Sequence, residues 1–147
     1  MNFVENKKAR FDYEILTSLE AGIALTGHEV KSVKAGHMSI AGAFAVPRGN
    51  ELWLLHANIP PYQAANVPVG YEPTRSRRLL LNKKEIAELI GKMKERGLTL
   101  LPLRVYINHN LVKVELGLGR GKRGPDKRES IKKRETGREI ARVAKRG

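Results

Sequence analysis

Apolar and polar residues alternate with a period of two along most of this chain, and a helical period replaces that alternation in two stretches. The clearest alternation lies in LTLLPLRVYI and LVKVELGL. Leu103, Val105 and Ile107 share one side of the first run, with Arg104 and Tyr106 on the other. In the second, Val112, Val114, Leu116 and Leu118 oppose Lys113 and Glu115. Successive strand side chains point to opposite faces, so both runs predict half-buried strands, and the polar NHN between them predicts a hairpin. SIAGAFAV and ELWLLHANI, separated by the turn signal PRGN, predict a second hairpin. FDYEIL and AGIAL predict strand between Phe11 and Leu25.

The helical stretches carry their own start and stop signals. In TGHEVKSVKAG, Thr26 and Glu29 form a capping box, Val30 and Val33 give one apolar face, and Gly36 closes the helix. In NKKEIAELIGKMKERG, Asn82 and Glu85 form a second box, Ile86, Leu89, Ile90 and Met93 line one face, and Gly97 ends it. Residues 60–74 hold four prolines without a period and predict a surface loop. About six short strands with two or three short helices, all burying one face, predict a mainly β fold. The expected architecture is a small antiparallel barrel of the oligonucleotide-binding (OB-like) kind.

Charge changes the picture. The 147-residue chain carries a net charge of +13, unevenly spread. Residues 120–147 hold 12 Lys and Arg against 4 Asp and Glu, whereas residues 1–119 hold 16 against 11. A body of residues 1–119 and a basic tail of residues 120–147 are therefore expected. Ile131, Ile140 and Val143 make no continuous stripe, so the tail is expected to be disordered until bound and helical once phosphates neutralise Arg134, Arg138 and Arg142. Such a chain implies a polyanionic partner, because each cation placed on a phosphate releases a condensed counterion. Lys7, Lys8 and Arg10 in NKKAR, and Arg75, Arg77 and Arg78 in TRSRR, are candidate contacts that a barrel could bring to one rim. Lys31 and Lys34 share the solvent side of the first helix, and Tyr62 and Tyr71 are candidate base platforms.

Other chemistry finds little support. His28, His37, His56 and His109 are scattered without metal-ligand spacing, and GLGRGKRG lacks the Ser or Thr and the apolar helix of a phosphate loop. His56 alternates with strand residues and could be a core group. No enzyme, cofactor or metal site is expected. The chain has no cysteine and no apolar run long enough for a membrane span, and a cytoplasmic, membrane-free setting is expected. Composition alone leaves open a general ribosomal or RNA-binding module, and a DNA-compacting protein.

Five motifs narrow this. NKKARFDYEIL, EAGIALTGHEVKSVKAG, EPTRSRRLLLNKKEI, LVKVELGLGRGK and DKRESIKKRE stand in an order and spacing that resemble the bacterial SsrA-binding protein family (small protein B, SmpB) over some 130 residues. The resemblance implies an OB-like barrel that holds the tRNA-like domain of transfer-messenger RNA, and no DNA partner. It implies delivery to the A site of stalled ribosomes with elongation factor Tu and GTP, for trans-translation and ribosome rescue. The family's RNA-holding positions match Asn6, Glu20 and Leu80. The tail would lie in the decoding centre and empty mRNA channel, with Lys122, Arg123, Asp126, Lys127, Arg128, Lys132, Lys133, Arg134, Arg138 and Arg142 facing ribosomal RNA. Pro125 and Thr136 depart from the family, whose members often carry stacking residues there.

Overall fold

The structure, a computed structural model, describes residues 2–63 and 67–122, with side chains from Val4 onward. Strand β1 (Asn2–Glu5) leads into helix α1 (Lys7–Asp12) and the long strand β2 (Tyr13–Ile23). Helix α2 (Gly27–Lys34) follows, then β3 (Phe44–Arg48), β4 (Glu51–Leu55) and β5 (Arg77–Leu80). Helix α3 (Lys83–Arg96) precedes the hairpin of β6 (Thr99–Asn108) and β7 (Leu111–Gly121). All strand pairings are antiparallel, in the order β1-β6-β3-β4-β5-β2-β7. The additional β6–β7 pairing closes six of these strands into a ring, with β1 laid against β6. The mainly β, OB-like expectation therefore holds.

Both helix starts read from the sequence have the expected chemistry. Thr26 and Glu29 exchange side-chain and backbone hydrogen bonds at the start of α2, as do Asn82 and Glu85 at the start of α3. Gly97 ends α3 with φ 63°, a left-handed turn that glycine enters without steric cost. The barrel interior is filled by Leu52, Leu54, Leu100, Val105, Val114 and Leu116, all without exposed surface. Ile86 and Leu89 of α3 and Val33 of α2 join that core.

Two elements were not expected. Phe11 was assigned to a strand, yet it lies in α1, and β1 precedes that helix. The reason is Asn6. Its Oδ1 accepts from the Ala9 N–H and caps α1, while its Nδ2 donates to the Pro102 and Ile40 carbonyls at 2.9 and 3.1 Å. Its own N–H donates to the Leu103 carbonyl. One edge of β6 pairs with β1 at Arg104–Tyr106 and with β3 at Leu100, and Asn6 bonds to the stretch between. Ala9 of α1 then covers Leu101 and Leu103 in a small second apolar cluster with Tyr13, Ile15 and Phe44. Gly117 makes room there: a Cβ on it would stand 2.7 Å from Leu103 Cδ1. Strand β7 also runs to Gly121, and the Lys122 N–H donates to the Asp12 carbonyl, two to three residues past the body boundary expected at 119.

Candidate nucleic-acid interface

Strand register sets out the most structured polar surface of the barrel. Glu5 of β1 pairs with Arg104 of β6, Arg104 with Glu115 of β7, and Glu115 with Glu20 of β2, so the four stand in one cross-strand row. One outward row further, Tyr106 pairs with Lys113, Lys113 with Gly22, and Gly22 with Leu80 of β5. Glu20 and Leu80, far apart in sequence, thus share one outer face. Leu80 is 42% exposed and lies over Gly22, where a Cβ would come within 3.2 Å of its own Cβ.

Directly opposed carboxylates repel, and Glu20 faces Glu115. The surface resolves this unequally. Glu115 forms ion pairs with Arg104, whose Nε stands 3.0 Å from Oε1, and with Arg10 Nη2 at 3.8 Å. Among the described residues Glu20 accepts only from a neutral partner, the Tyr106 hydroxyl, and it remains exposed. The Arg104 guanidinium lies 5.1 Å over the Tyr106 ring. Burial, then the hydrogen bond to Glu20 and that carboxylate's charge, pushes the Tyr106 phenol up to about 12. Beside this row, Glu5, Asn6, Lys7, Arg10, Leu103, Arg104 and Glu115 line a cleft of about 330 Å³. Beyond Leu80, a larger groove of about 590 Å³ runs between β5 and α3, lined by Arg78, Leu80, Leu81, Lys83, Ile86 and Ile90 among others.

The TRSRR cluster is a correction. Arg77 has no exposed surface; its guanidinium donates to Glu29 through Nε and Nη2 at 2.9 and 2.7 Å. Its remaining N–H groups reach the Ala57, Arg75 and Pro73 carbonyls. Arg75, with its side chain 34% exposed, donates to the same carboxylate. Burial by itself would raise the Glu29 pKa. Hydrogen bonds from Arg75, the Thr26 N–H and Arg77 outweigh it and hold the carboxyl at about 2. Arg77 is therefore spent inside the fold, tying the start of α2 to β5, and offers nothing to a phosphate. Asn6 is likewise 3% exposed and committed to the backbone, so its expected RNA contact gives way to a positioning role for α1.

The other candidates are dispersed. Lys7 and Arg10 face the smaller cleft, whereas Lys8 pairs with Asp12 one turn along α1. Arg78 pairs with Glu51 at 3.0 Å on the rim of the larger groove. Lys31 and Lys34 are exposed on α2. Tyr71 is no open platform: its hydroxyl donates to the Ile59 carbonyl at 2.7 Å and its ring meets His28 edge-on. Tyr62 is 40% exposed. His56 is exposed at the end of β4 with φ 66°, not a core group. In the tail, Lys122 is the last residue described; Arg123, Asp126, Lys127, Arg128, Lys132, Lys133, Arg134, Arg138 and Arg142 lie outside the described residues, as do Pro125 and Thr136. Sequence reasoning placed Arg104, Tyr106 and Lys113 correctly on the outer side of their strands but did not name them as site residues. Alternation shows which face a residue takes; it does not show which strand lies alongside.

Comparison with known proteins agrees with this geometry. A family model described as "SmpB protein" matches residues 3–146. The chain is similar to the "SsrA-binding protein" of Trichormus variabilis, 48% identical over 141 residues that cover 96% of this chain and 91% of that protein. It is similar also to that of Synechococcus elongatus, 48% identical over 97% of this chain and 92% of the relative. Among solved structures, it resembles a chain in "tmRNA-SmpB: a journey to the center of the bacterial ribosome". The TM-score is 0.69 at 46% identity, covering 87% of this chain and 93% of that one.

Proposed function

The chain belongs to the SmpB family, and from that premise we propose that it binds transfer-messenger RNA and acts with it on the ribosome in trans-translation. It is an RNA-binding factor. The observation that carries this reading is the family match across residues 3–146 at close to half identity with SsrA-binding proteins.

At finer grain, the barrel holds the tRNA-like part of the RNA against the face that carries Glu20 and Leu80, with Lys7 and Arg10 supplying phosphate contacts at its edge. Leu80 is suited to an unstacked base and Glu20 to exposed base amines, while the cations add the salt-dependent share of affinity. The complex reaches the A site of a stalled ribosome with elongation factor Tu and GTP, and residues 123–147 enter the decoding centre and empty mRNA channel. What supports this division is that 10 of the 28 basic residues fall after Lys122.

The test compares the full chain with one ending at Lys122, which keeps β7 whole. Transfer-messenger RNA affinity and peptide tagging on stalled ribosomes are both measured. The expected result is affinity largely retained at low salt with tagging lost. Loss of RNA binding together with tagging would overturn the division, by making the tail part of the primary RNA site.

A further inference from the structure

On the outer face, the Glu20 carboxylate has one hydrogen-bond partner among the described residues, and that partner is itself held in place. Tyr106 donates its hydroxyl to Glu20 from the second strand over, across β7. The Tyr106 ring is covered by the Arg104 guanidinium, and Arg104 is anchored on Glu115, which Arg10 approaches from α1. The sequence of contacts runs Arg10, Glu115, Arg104, Tyr106, Glu20, and it ends on an exposed carboxylate.

The chemistry of that last group is unusual for a surface meant to meet RNA. A carboxylate repels phosphate. It accepts from the exocyclic amines and ring N–H groups of bases, which are donors that a backbone does not present. A long Glu side chain on an open strand loses rotamer freedom when it makes such a contact. A carboxylate already held in one rotamer has lost that freedom beforehand. The neutral phenol does this without cancelling the negative charge, as a Lys or Arg at the same place would.

We propose that Tyr106 is a positioning residue that fixes the Glu20 carboxylate as an acceptor for base amines of the bound RNA. The proposal rests on the reading above that the Glu20 face meets transfer-messenger RNA. Base contact carries sequence or shape selection, whereas phosphate contact carries salt dependence. Tyr106 therefore acts on affinity without acting on the number of ions released.

The experiment measures transfer-messenger RNA affinity against salt concentration for the full chain, Tyr106→Phe, Glu20→Gln and the double variant. Tyr106→Phe keeps the ring under Arg104, and unchanged thermal melting checks that the fold is intact. Glu20→Gln is expected to weaken binding about fivefold or more, in the range of one lost base contact. Tyr106→Phe is expected to weaken it by a smaller factor with the same salt slope, and to add nothing in the Glu20→Gln background. Additive losses in the double variant would overturn the proposal, because Tyr106 would then touch RNA by itself. So would an unchanged affinity for Tyr106→Phe beside a weakened Glu20→Gln, which leaves the RNA face standing. An unchanged Glu20→Gln would instead remove that face, and the proposal with it.

Discussion

Replacing Glu29 by Gln removes one negative charge from a site with no exposed surface and leaves two guanidinium groups facing it. The wild-type carboxylate accepts from Arg75, Arg77 and the Thr26 N–H. An amide can accept at one atom only, and its NH₂ group would point a donor at donors. The magnitude follows from the carboxyl itself. A fall in its pKa from 4.5 to about 2 corresponds to about 3 kcal/mol of preference for the ionised form in the fold. Breaking a buried pair by removing one partner costs about 3–5 kcal/mol, because the other charge is left uncompensated. The two figures agree, and Glu29→Gln is expected to lose about 3–4 kcal/mol at neutral pH.

Urea unfolding followed by Trp53 fluorescence, the chain having one tryptophan, measures this directly. The sign of the pH dependence gives a second check. Because the folded pKa lies below the unfolded one, the contribution of Glu29 is fully present above pH 4.5 and is lost as pH falls from 4.5 toward 2. The gap between wild type and Glu29→Gln should therefore narrow over that window. A Glu29→Leu, Arg77→Met double variant should recover much of the loss, since a buried pair replaced by apolar groups is often neutral. A loss below about 1 kcal/mol for Glu29→Gln, the size of an ordinary exposed pair, would refute the account of the network.

Asn6→Asp keeps the oxygen that caps α1 but turns a donor toward the Pro102 and Ile40 carbonyls into a second acceptor. It is expected to destabilise more than Asn6→Ser in the same urea assay, and its loss of RNA affinity should follow its unfolded fraction. Gly117→Ala places a methyl 2.7 Å from Leu103 Cδ1 and 3.1 Å from Ile15 Cγ2, so overpacking should cost about 1–3 kcal/mol. Pairing Gly117→Ala with Leu103→Val should return part of that loss; no recovery would mean that the strain lies elsewhere.

The hairpins and both capped helices were legible in the sequence because each depends on residues near one another in the chain, whereas the strand order that closes the sheet depends on pairings between distant strands. Capping boxes span three residues and strand alternation spans two. What the sequence hid depends on partners far away. The resemblance matched Asn6 to an RNA-holding position, and its structural role stayed hidden because its carbonyl partners, Ile40 and Pro102, come from elsewhere in the chain. Arg77 read as a phosphate ligand because Glu29 lies 48 residues before it. The same limit kept Tyr106 from being joined to Glu20, 86 residues apart.

Pairing inside the body also bears on how affinity and selection divide. Arg75 and Arg77 are engaged by Glu29, Arg10 and Arg104 by Glu115, Arg78 by Glu51, Lys8 by Asp12 and Arg120 by Glu14. A cation that must give up a carboxylate to take a phosphate gains little from the exchange, so these contribute less to counterion release than their number suggests. Residues 123–147 hold ten basic residues beyond the last two of the strand end, set against four acids. Salt-dependent attraction to RNA should therefore come largely from the tail, and selection from a few groups held on the barrel. On the proposed reading, Glu20 serves selection through its acidity: on a basic chain, a fixed carboxylate would reject phosphates that the rest of the surface would accept. A chain ending at Lys122 is accordingly expected to show a shallower dependence of RNA affinity on salt, while its preference for transfer-messenger RNA over unrelated RNA is kept or sharpened.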